Sequence, residues 1–132
     1  MKQALVIDAG VLALHFAHDP RVIQHFNEID EEKARGYLAG VNLAEFYYKT
    51  CKKLGRQAAD TSYFLLRASR LQTVYDEALT RLAALEKCRQ QLDLSLADCF
   101  ALALAKREKG VLLTTDNALR KAKDVEVKFF GV

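Results

Sequence analysis

Four acidic residues are spread along the chain at positions where their side chains could meet and bind a cation. They are Asp8, Glu45, Asp98 and Asp116. Two of them follow short apolar segments, and the other two come three residues after a residue that can cap a helix. Clustered carboxylates repel one another, so some of them must be protonated or share a cation. Carboxylate oxygens suit Mg²⁺ or Mn²⁺, ions that lower the pKa of a bound water and hold a phosphodiester between the attacking and leaving oxygens.

Each acid also has a purely structural alternative. The two acids that follow apolar segments could simply cap the next turn or helix. Glu45 could complete a capping box with Asn42, and Asp98 could do the same with Ser95. Each alternative is reasonable for one acid, but together they require four acids to fall at one edge by accident. The set therefore favours a cation site over four unrelated helix caps.

The segments that must position the acids alternate between strand and helix patterns. Apolar runs predict strands, and periodic apolar residues predict helices between them. The predicted strands are 3–8, 36–41, 71–75, 111–114 and 125–130. This alternation favours a three-layer α/β/α fold with a central, mostly parallel sheet, and we expect residues 1–132 to form a single domain. Because ligands bind at the carboxyl ends of the strands in such sheets, the four acids are expected to converge on one rim.

Three predicted helices bear on the site. The segment 95–105 is almost wholly apolar, which predicts a buried helix with Ser95 as its N-cap and Gly110 just past its end. Asn42 is predicted to cap the helix that carries Glu45. A helix over 57–69 is predicted to pack through four consecutive apolar residues. These are Tyr63, Phe64, Leu65 and Leu66.

Basic residues near two of the acids could hold the phosphates of a polyanion. They are Lys49, Lys52, Lys53, Arg56 and Arg120. The three lysines fall on the same face of the predicted helix as Glu45. The alternative is an ordinary solvated helix face, in which Glu45 and Lys49 form an i, i+4 ion pair. The net charge of +3 and the pI of about 8.8 are compatible with a nucleic acid partner but do not require one.

The composition is that of an ordinary globular protein, with 51% hydrophobic and 28% charged residues. No uncharged run approaches the ~18 residues that cross a bilayer, and a signal-peptide pattern is missing at the start, so we expect a cytoplasmic protein with no membrane partner. Cys51, Cys88 and Cys99 lack metal-binding spacing and are predicted to be reduced packing residues. For His15 and His18, surface or packing roles are favoured over a metal site.

Four ordered motifs resemble those of the PIN domain family. They are VIDAGVL at 6–12, NLAE at 42–45, LADCFALA at 96–103 and LTTD at 113–116. Each motif is weak alone, but their order and spacing match over nearly the whole chain. The resemblance implies that Asp8, Glu45, Asp98 and Asp116 are the metal-binding acids and that the activity is a Mg²⁺- or Mn²⁺-dependent endoribonuclease.

The resemblance further implies a setting and a set of roles. Small members of the family include the toxins of VapBC-type toxin–antitoxin pairs, so the expected partners are RNA, an antitoxin protein and a second copy of this chain. Asp8, Asp98 and Asp116 would ligate the metal, and Glu45 would either ligate it or orient the attacking water. Thr114 matches a hydroxyl residue often seen in the last motif.

Two positions depart from the family pattern. Gly10 stands where Ser, Thr or Asn is usual, which implies that a side-chain hydrogen bond is lost there. Asn42 stands where Ser or Thr is often found, and asparagine caps a helix equally well. All four acids are present, so these departures bear on efficiency more than on the presence of an activity.

Three other functions remain open at this stage. The chain could be a PIN domain that acts in RNA processing or RNA binding and is not a toxin, which a neighbouring small antitoxin gene would distinguish. It could be a catalytically inactive interaction module, which would show in whether the carboxyls bind metal. A phospho-acceptor signalling domain is disfavoured, because Asp8 stands alone after the first strand and no lysine directly follows residues 111–114.

Overall fold

The computed structural model of the protein describes residues 2–90 and 92–132. The strands are β1 (Gln3–Ile7), β2 (Ala34–Ala39), β3 (Gln72–Val74), β4 (Val111–Thr114) and β5 (Glu126–Phe129). The helices are α1 (Ala9–Phe16), α2 (Pro20–Asp30), α3 (Gly40–Leu54), α4 (Arg56–Ala68), α5 (Glu77–Arg89) and α6 (Leu96–Glu108), and a short 3₁₀ helix spans Asn117–Lys121. The strands form one sheet in the order β3-β2-β1-β4-β5, and every neighbouring pair is parallel. The chain reverses its direction across the sheet between β1 and β4, so a ligand site is expected at the carboxyl ends of these two strands.

Helices cover both faces of the sheet. On one face, α1 to α4 pack against Leu5, Ile7 and Leu38, and on the other face α5 and α6 pack against Val6 and Leu112. Successive residues of a strand point to opposite faces, which is why both faces of these short apolar strands are buried. The predicted three-layer α/β/α fold with a parallel sheet is therefore confirmed. The predicted strand ends differ from the observed ones by no more than two residues.

The central helix α6 begins as predicted but ends differently. The hydroxyl of Ser95 accepts a hydrogen bond from the backbone N–H of Asp98 at 3.1 Å and caps the helix. At the other end, Lys109 and not Gly110 takes the left-handed conformation, with φ of 53°. Gly110 has a different purpose, because a Cβ there would lie 2.6 Å from the backbone oxygen of Ala4. The glycine allows the chain to pass close to β1 as it enters β4.

The prediction that Asn42 caps a helix is wrong. Helix α3 begins at Gly40, and its N-cap position is Ala39, so Asn42 lies inside the first turn. Its side chain is buried and donates a hydrogen bond from Nδ2 to the backbone oxygen of Ala97, at 3.1 Å. Glu45 consequently lies in the second turn of α3, and the predicted capping box between these two residues does not form.

Two packing predictions also need correction. Phe64 and Leu65 are 69% and 58% exposed, whereas Leu66 is buried. Four consecutive apolar residues cannot all face the core, because neighbouring side chains on a helix point about 100° apart. Of the three cysteines, Cys99 is buried, but Cys88 is exposed and is not a packing residue.

Within the described part of the chain, no helix has the length and apolar character needed to cross a bilayer.

Candidate active site

Asp8 lies at the carboxyl end of β1 and is almost fully buried, with 4% of its surface exposed. Its Oδ1 accepts a hydrogen bond from the backbone N–H of Val11 at 2.9 Å, so Asp8 caps α1. The hydroxyl of Thr114, at the end of the neighbouring strand β4, donates a short hydrogen bond to its Oδ2. Burial raises the pKa of the Asp8 carboxyl above its usual value, and these hydrogen bonds act in the opposite direction. The hydrogen bonds thus fix the orientation of the Asp8 carboxyl group, and burial makes its charged form energetically unfavourable.

Thr114 links two of the predicted acids. Its side chain is fully buried, and its hydroxyl accepts a hydrogen bond from the backbone N–H of Asp116 at 2.9 Å while it donates to Asp8. Asp116 in turn caps the short 3₁₀ helix, because its Oδ1 accepts from the N–H of Ala118 at 2.9 Å. The threonine therefore holds the ends of β1 and β4 in a fixed relation.

Asp98 faces Asp116 across the rim of the sheet. Asp98 lies in the first turn of α6 and is buried, with 9% of its surface exposed. Burial, together with the hydrogen-bonded carboxyl and the charge of Asp116, raises the pKa of Asp98 to about 7. Two carboxyl groups at hydrogen-bond distance cannot both be charged without cost, so this pair keeps a shared proton to higher pH than an isolated aspartate would.

Glu45 reaches the same rim from α3 and is more exposed than Asp8 and Asp98. Its side chain forms a 2.7 Å ion pair with Lys49, and one quarter of that side chain is exposed. Its charge contributes to the raised pKa of Asp8, which places the two carboxyls in electrostatic contact. The pKa of Lys49 is raised by the hydrogen bond to Glu45 and, more weakly, by the charge of Asp98. The lysine is therefore held near two of the acids.

Asn42 is a residue at this rim whose role the sequence does not reveal. Its hydrogen bond to the backbone oxygen of Ala97 joins α3 to the first turn of α6, directly beside Asp98. Its Oδ1 is buried without a hydrogen-bond partner among the described residues. Asn42 and Glu45 are three residues apart and so share a face of α3. The side chain of Asn42 thereby fixes the helix that carries Glu45 relative to the helix that carries Asp98.

The predicted basic residues do not all lie on one surface. Lys49 and Lys53 line a cleft of about 500 Å³ between α1 and α3, whose floor includes Gly10, Phe16 and Phe46. The lining of this cleft includes Ala9 and Gly10, the two residues that directly follow Asp8. Lys49 and Lys53 are therefore the predicted basic residues best placed to reach a molecule bound in it.

The other three basic residues have partners of their own. Lys52 lies 5.7 Å from the centre of the Tyr48 ring, and Arg56 forms a 3.5 Å ion pair with Asp60. Arg120 stacks 4.7 Å over the ring of Phe129, on the β5 side of the molecule. Exposed ion pairs and cation–π contacts are weak and exchange readily with a ligand, so these partners do not exclude a phosphate contact.

The acids fit a divalent cation in chemistry but not yet in spacing. All four side chains offer carboxylate oxygens as ligands, and Mg²⁺ and Mn²⁺ prefer oxygen ligands. A cation would replace the shared proton of Asp98 and Asp116 and would offset the charge of Asp8. Within residues 2–90 and 92–132, however, no three acidic, His or Cys side chains lie close enough together to form a ready cation site. Binding therefore requires the carboxyl side chains to draw together.

His15 packs against aromatic rings, whereas His18 lies on the surface. The ring of His15 stacks on Phe26 with 3.9 Å between the ring centres and meets the edge of Phe16. Burial lowers the pKa of His15, which keeps the ring neutral at physiological pH. His18 is exposed in a left-handed turn, with φ of 61°.

The fold is similar to chains of several solved structures. One is VapBC2 from Rickettsia felis bound to a promoter DNA fragment (TM-score 0.77, 12% identity, 95% of this chain and 97% of that chain covered). Another is DNA-bound VapBC from Salmonella typhimurium (TM-score 0.75, 15% identity, 97% and 98% covered). A third is VapC20 from Mycobacterium tuberculosis, described as a sarcin–ricin loop cleaving toxin (TM-score 0.67, 15% identity, 92% and 98% covered). At these identities the likeness concerns the fold alone.

Comparison with curated protein sequences found no match. A model of the PIN domain family, in contrast, matches residues 5–125. This range contains all four acids, the Thr114 hydroxyl that joins two of them, and every element of the fold except β5 and the first two residues of β1. Because the match covers most of the sequence, the chain belongs to the PIN domain family.

Proposed function

We propose that this protein is a divalent-metal-dependent endoribonuclease and the toxin of a toxin–antitoxin pair. The observation that carries the proposal is the pairing of Asp98 with Asp116 beside Asp8, at the switch point of a parallel sheet. A buried carboxyl held at hydrogen-bond distance from a second one points to a function, because the raised pKa of Asp98 reports a charge that is costly in the folded state. A bound Mg²⁺ or Mn²⁺ would supply an activated water and stabilise the charge that develops on the phosphodiester.

The residues take distinct parts in this proposal. Asp8, Asp98 and Asp116 would hold the cation, and Thr114 orients Asp8 toward it through its hydroxyl. One quarter of the Glu45 side chain is exposed, so it would hold the cation or accept a proton from the attacking water. Asn42 would keep Glu45 in register with Asp98 through its bond to Ala97.

Basic side chains would hold the RNA backbone beside the acids. The proposed phosphate contacts are Lys49, Lys52, Lys53, Arg56 and Arg120. Lys49 and Lys53 are the first choice, because both line the cleft that opens next to the site. Ion pairs with backbone phosphates carry no sequence information, so these contacts would set the affinity and its salt dependence and not the cleavage sequence.

Protein partners are also part of the proposal. The similar VapBC structures support an antitoxin partner, and the cleft between α1 and α3 has the apolar floor that a protein segment would cover. Phe64 and Tyr75 are 69% and 65% exposed and flank a second hollow next to Tyr63, which supports a homodimer contact on that face. Action on cellular RNA would place the protein in the cytoplasm.

The proposal is tested by measuring metal binding and RNA cleavage on the same preparation. We expect Mn²⁺ at millimolar concentration to raise the melting temperature at pH 7.5, because a ligand that binds only the folded state stabilises it. We also expect cleavage of single-stranded RNA that requires the ion and is lost in Asp8→Asn. A matched control is Glu77→Gln, which removes an exposed acid from the first turn of α5 and should change neither result.

The outcomes separate the remaining functions. A melting temperature that is indifferent to Mn²⁺, together with no cleavage, would contradict the nuclease and favour an inactive interaction module. Metal-dependent cleavage without growth arrest on expression would keep the nuclease but favour an RNA-processing enzyme over a toxin.

A further inference from the structure

The side chain of Thr115 lies directly over Gly10. A Cβ built on Gly10 would lie 1.8 Å from the Thr115 Oγ1, 3.0 Å from its Cβ and 3.3 Å from its Cγ2. The 1.8 Å separation is too short for two atoms that are not bonded to each other, and the other two are tight contacts, so residue 10 cannot carry a side chain while Thr115 keeps this position. The hydroxyl of Thr115 therefore fills the space that a side chain at residue 10 would occupy.

The backbone does not require a glycine at this position. Gly10 lies in the first turn of α1, and its φ is not in the left-handed region. Glycine is less favourable than alanine in a helix, because it loses more conformational freedom on folding. The steric reason for Gly10 is thus the side chain of Thr115 and not the path of the main chain.

Thr115 is placed where its hydroxyl can serve the candidate cation site. It stands between Thr114, which donates to Asp8, and Asp116, which pairs with Asp98. Its own backbone amide contributes to holding the Asp8 carboxyl. Thr115 is only partly buried, and Gly10 beneath it lines the cleft that opens beside the acids.

We propose that Thr115 is a positioning residue of the cation site, whose Oγ1 supplies, from the residue just after β4, the hydroxyl that residue 10 lacks. Residues 10 and 115 form a pair in which only one member carries a side chain. The hydroxyl acts through the hydrogen-bonded shell around the cation and orients the Asp8 end of the site. This inference rests on the proposed function, because it assumes that Asp8, Asp98 and Asp116 bind a divalent ion.

The first test separates the hydroxyl of Thr115 from its bulk. Mn²⁺ alone is titrated calorimetrically into the protein at pH 7.5, without RNA. Thr115→Val keeps the shape and removes the hydroxyl, and we expect about 5- to 10-fold weaker binding, the usual effect of losing one hydrogen bond around a metal site. Thr115→Ser keeps the hydroxyl and should bind within about 2-fold of the natural protein. The melting temperature of each variant without metal confirms that it is folded.

The second test moves the hydroxyl to the other member of the pair. Gly10→Ala forces the Thr115 side chain away, so it should weaken Mn²⁺ binding as Thr115→Val does. Thr115→Gly removes the three atoms that crowd residue 10, and adding Gly10→Ser to it should recover most of the affinity that Thr115→Gly loses. If Thr115 only fills space, the Mn²⁺ affinity of the double variant should not recover, because the serine at residue 10 restores a hydroxyl but little of the lost volume.

Each result supports or overturns the inference. Equal affinity of Thr115→Val and the natural protein would overturn it, and so would equal losses in Thr115→Val and Thr115→Ser, which would indicate a packing role. If the natural protein and the variants bind Mn²⁺ with the same affinity, the inference about Thr115 is overturned but the proposed function remains intact. A natural protein that binds no Mn²⁺ overturns both proposals.

Discussion

Replacing Asp98 by asparagine tests whether this buried acid serves the structure or the chemistry. Asparagine has the same size, and its amide can donate to Asp116 as the protonated acid does. The substitution removes a charge that is costly in the folded protein, since burial and Asp116 raise the pKa of Asp98 from 3.8 to about 7. The Asp98 charge also has a favourable contact with the N-terminus of α6, worth about 0.3–1 kcal/mol.

The pH dependence follows from the direction of that pKa change. Asp98 binds its proton more tightly in the folded protein than in the unfolded chain, so the folded state holds more protons between about pH 4 and pH 7. The free energy of unfolding then falls as the pH rises through this interval, and the contribution is lost above the raised pKa. Asp98→Asn has no such group and should be less sensitive to pH there.

The magnitude can be bounded from the same pKa. Each unit of difference between the folded and unfolded pKa values of Asp98 changes the free energy of unfolding by at most about 1.4 kcal/mol. The site lies at an open rim, and the proton belongs to the Asp98–Asp116 pair, so we expect roughly 1–2 kcal/mol. For 132 residues, 1 kcal/mol shifts the melting temperature by about 4 °C. Without metal, Asp98→Asn should melt within about 2 °C of the natural protein at pH 5 and about 4–8 °C higher at pH 8.

The assay combines melting curves in EDTA with Mn²⁺-dependent RNA cleavage. We expect cleavage to fall by orders of magnitude in Asp98→Asn, and the stabilisation by Mn²⁺ to shrink, because a hard charged ligand is gone. Glu77→Gln is the matched control, since Glu77 also lies in the first turn of a helix but far from the site. A variant that is less stable than the natural protein at pH 8 and still fully active would refute the assignment of Asp98 to the metal site.

Two further predictions concern the cleft and the opposite side of the sheet. Lys49→Gln combined with Lys53→Gln should weaken RNA binding and reduce the slope of log affinity against log salt concentration by about two. Arg81→Gln on α5 is the control and should change neither quantity. A binding assay at several salt concentrations measures both. Burial acts to raise the pKa of Glu86, but hydrogen bonds from Lys106 and Gln90 outweigh this effect, so the pKa is lowered. The charged Glu86 side chain therefore stabilises the fold above about pH 4.5, and this stabilisation is lost as the pH falls through the lowered pKa. Glu86→Gln should therefore cost about 1–2 kcal/mol at pH 7 by urea denaturation and little at pH 3, with unchanged cleavage; equal losses at both pH values would contradict this.

The sequence predicts the layers and the rim of the site but not the contacts that hold the rim together. Short apolar runs and periodic helices determine the order of the elements, and parallel strands then bring their carboxyl ends to one edge. The bond from Asn42 to Ala97 joins residues 55 positions apart. A capping pattern in the sequence gave the wrong local partner for Asn42, because the tertiary contact takes the amide away from the helix end.

The pair of Gly10 and Thr115 shows a second limit of sequence patterns. A missing side chain at residue 10 suggests a lost hydrogen bond when the motif is considered alone. The structure places a hydroxyl from residue 115 in that space, and only three-dimensional packing relates the two positions. An unexplained glycine early in a helix is the signal that could have prompted a search for a neighbour.

Helix capping and cation binding by the same acids are compatible in this fold. Asp8 and Asp116 do cap the segments that follow them, through Val11 and Ala118, and each uses its Oδ1 for the cap. A carboxylate has a second oxygen that capping does not use, and in Asp8 this oxygen accepts a hydrogen bond from the hydroxyl of Thr114. In a parallel sheet with short connections, the caps that follow neighbouring strands lie side by side. Capping therefore fixes the orientation of acids that the sheet has already brought together, and the repulsion between them would favour binding of a cation.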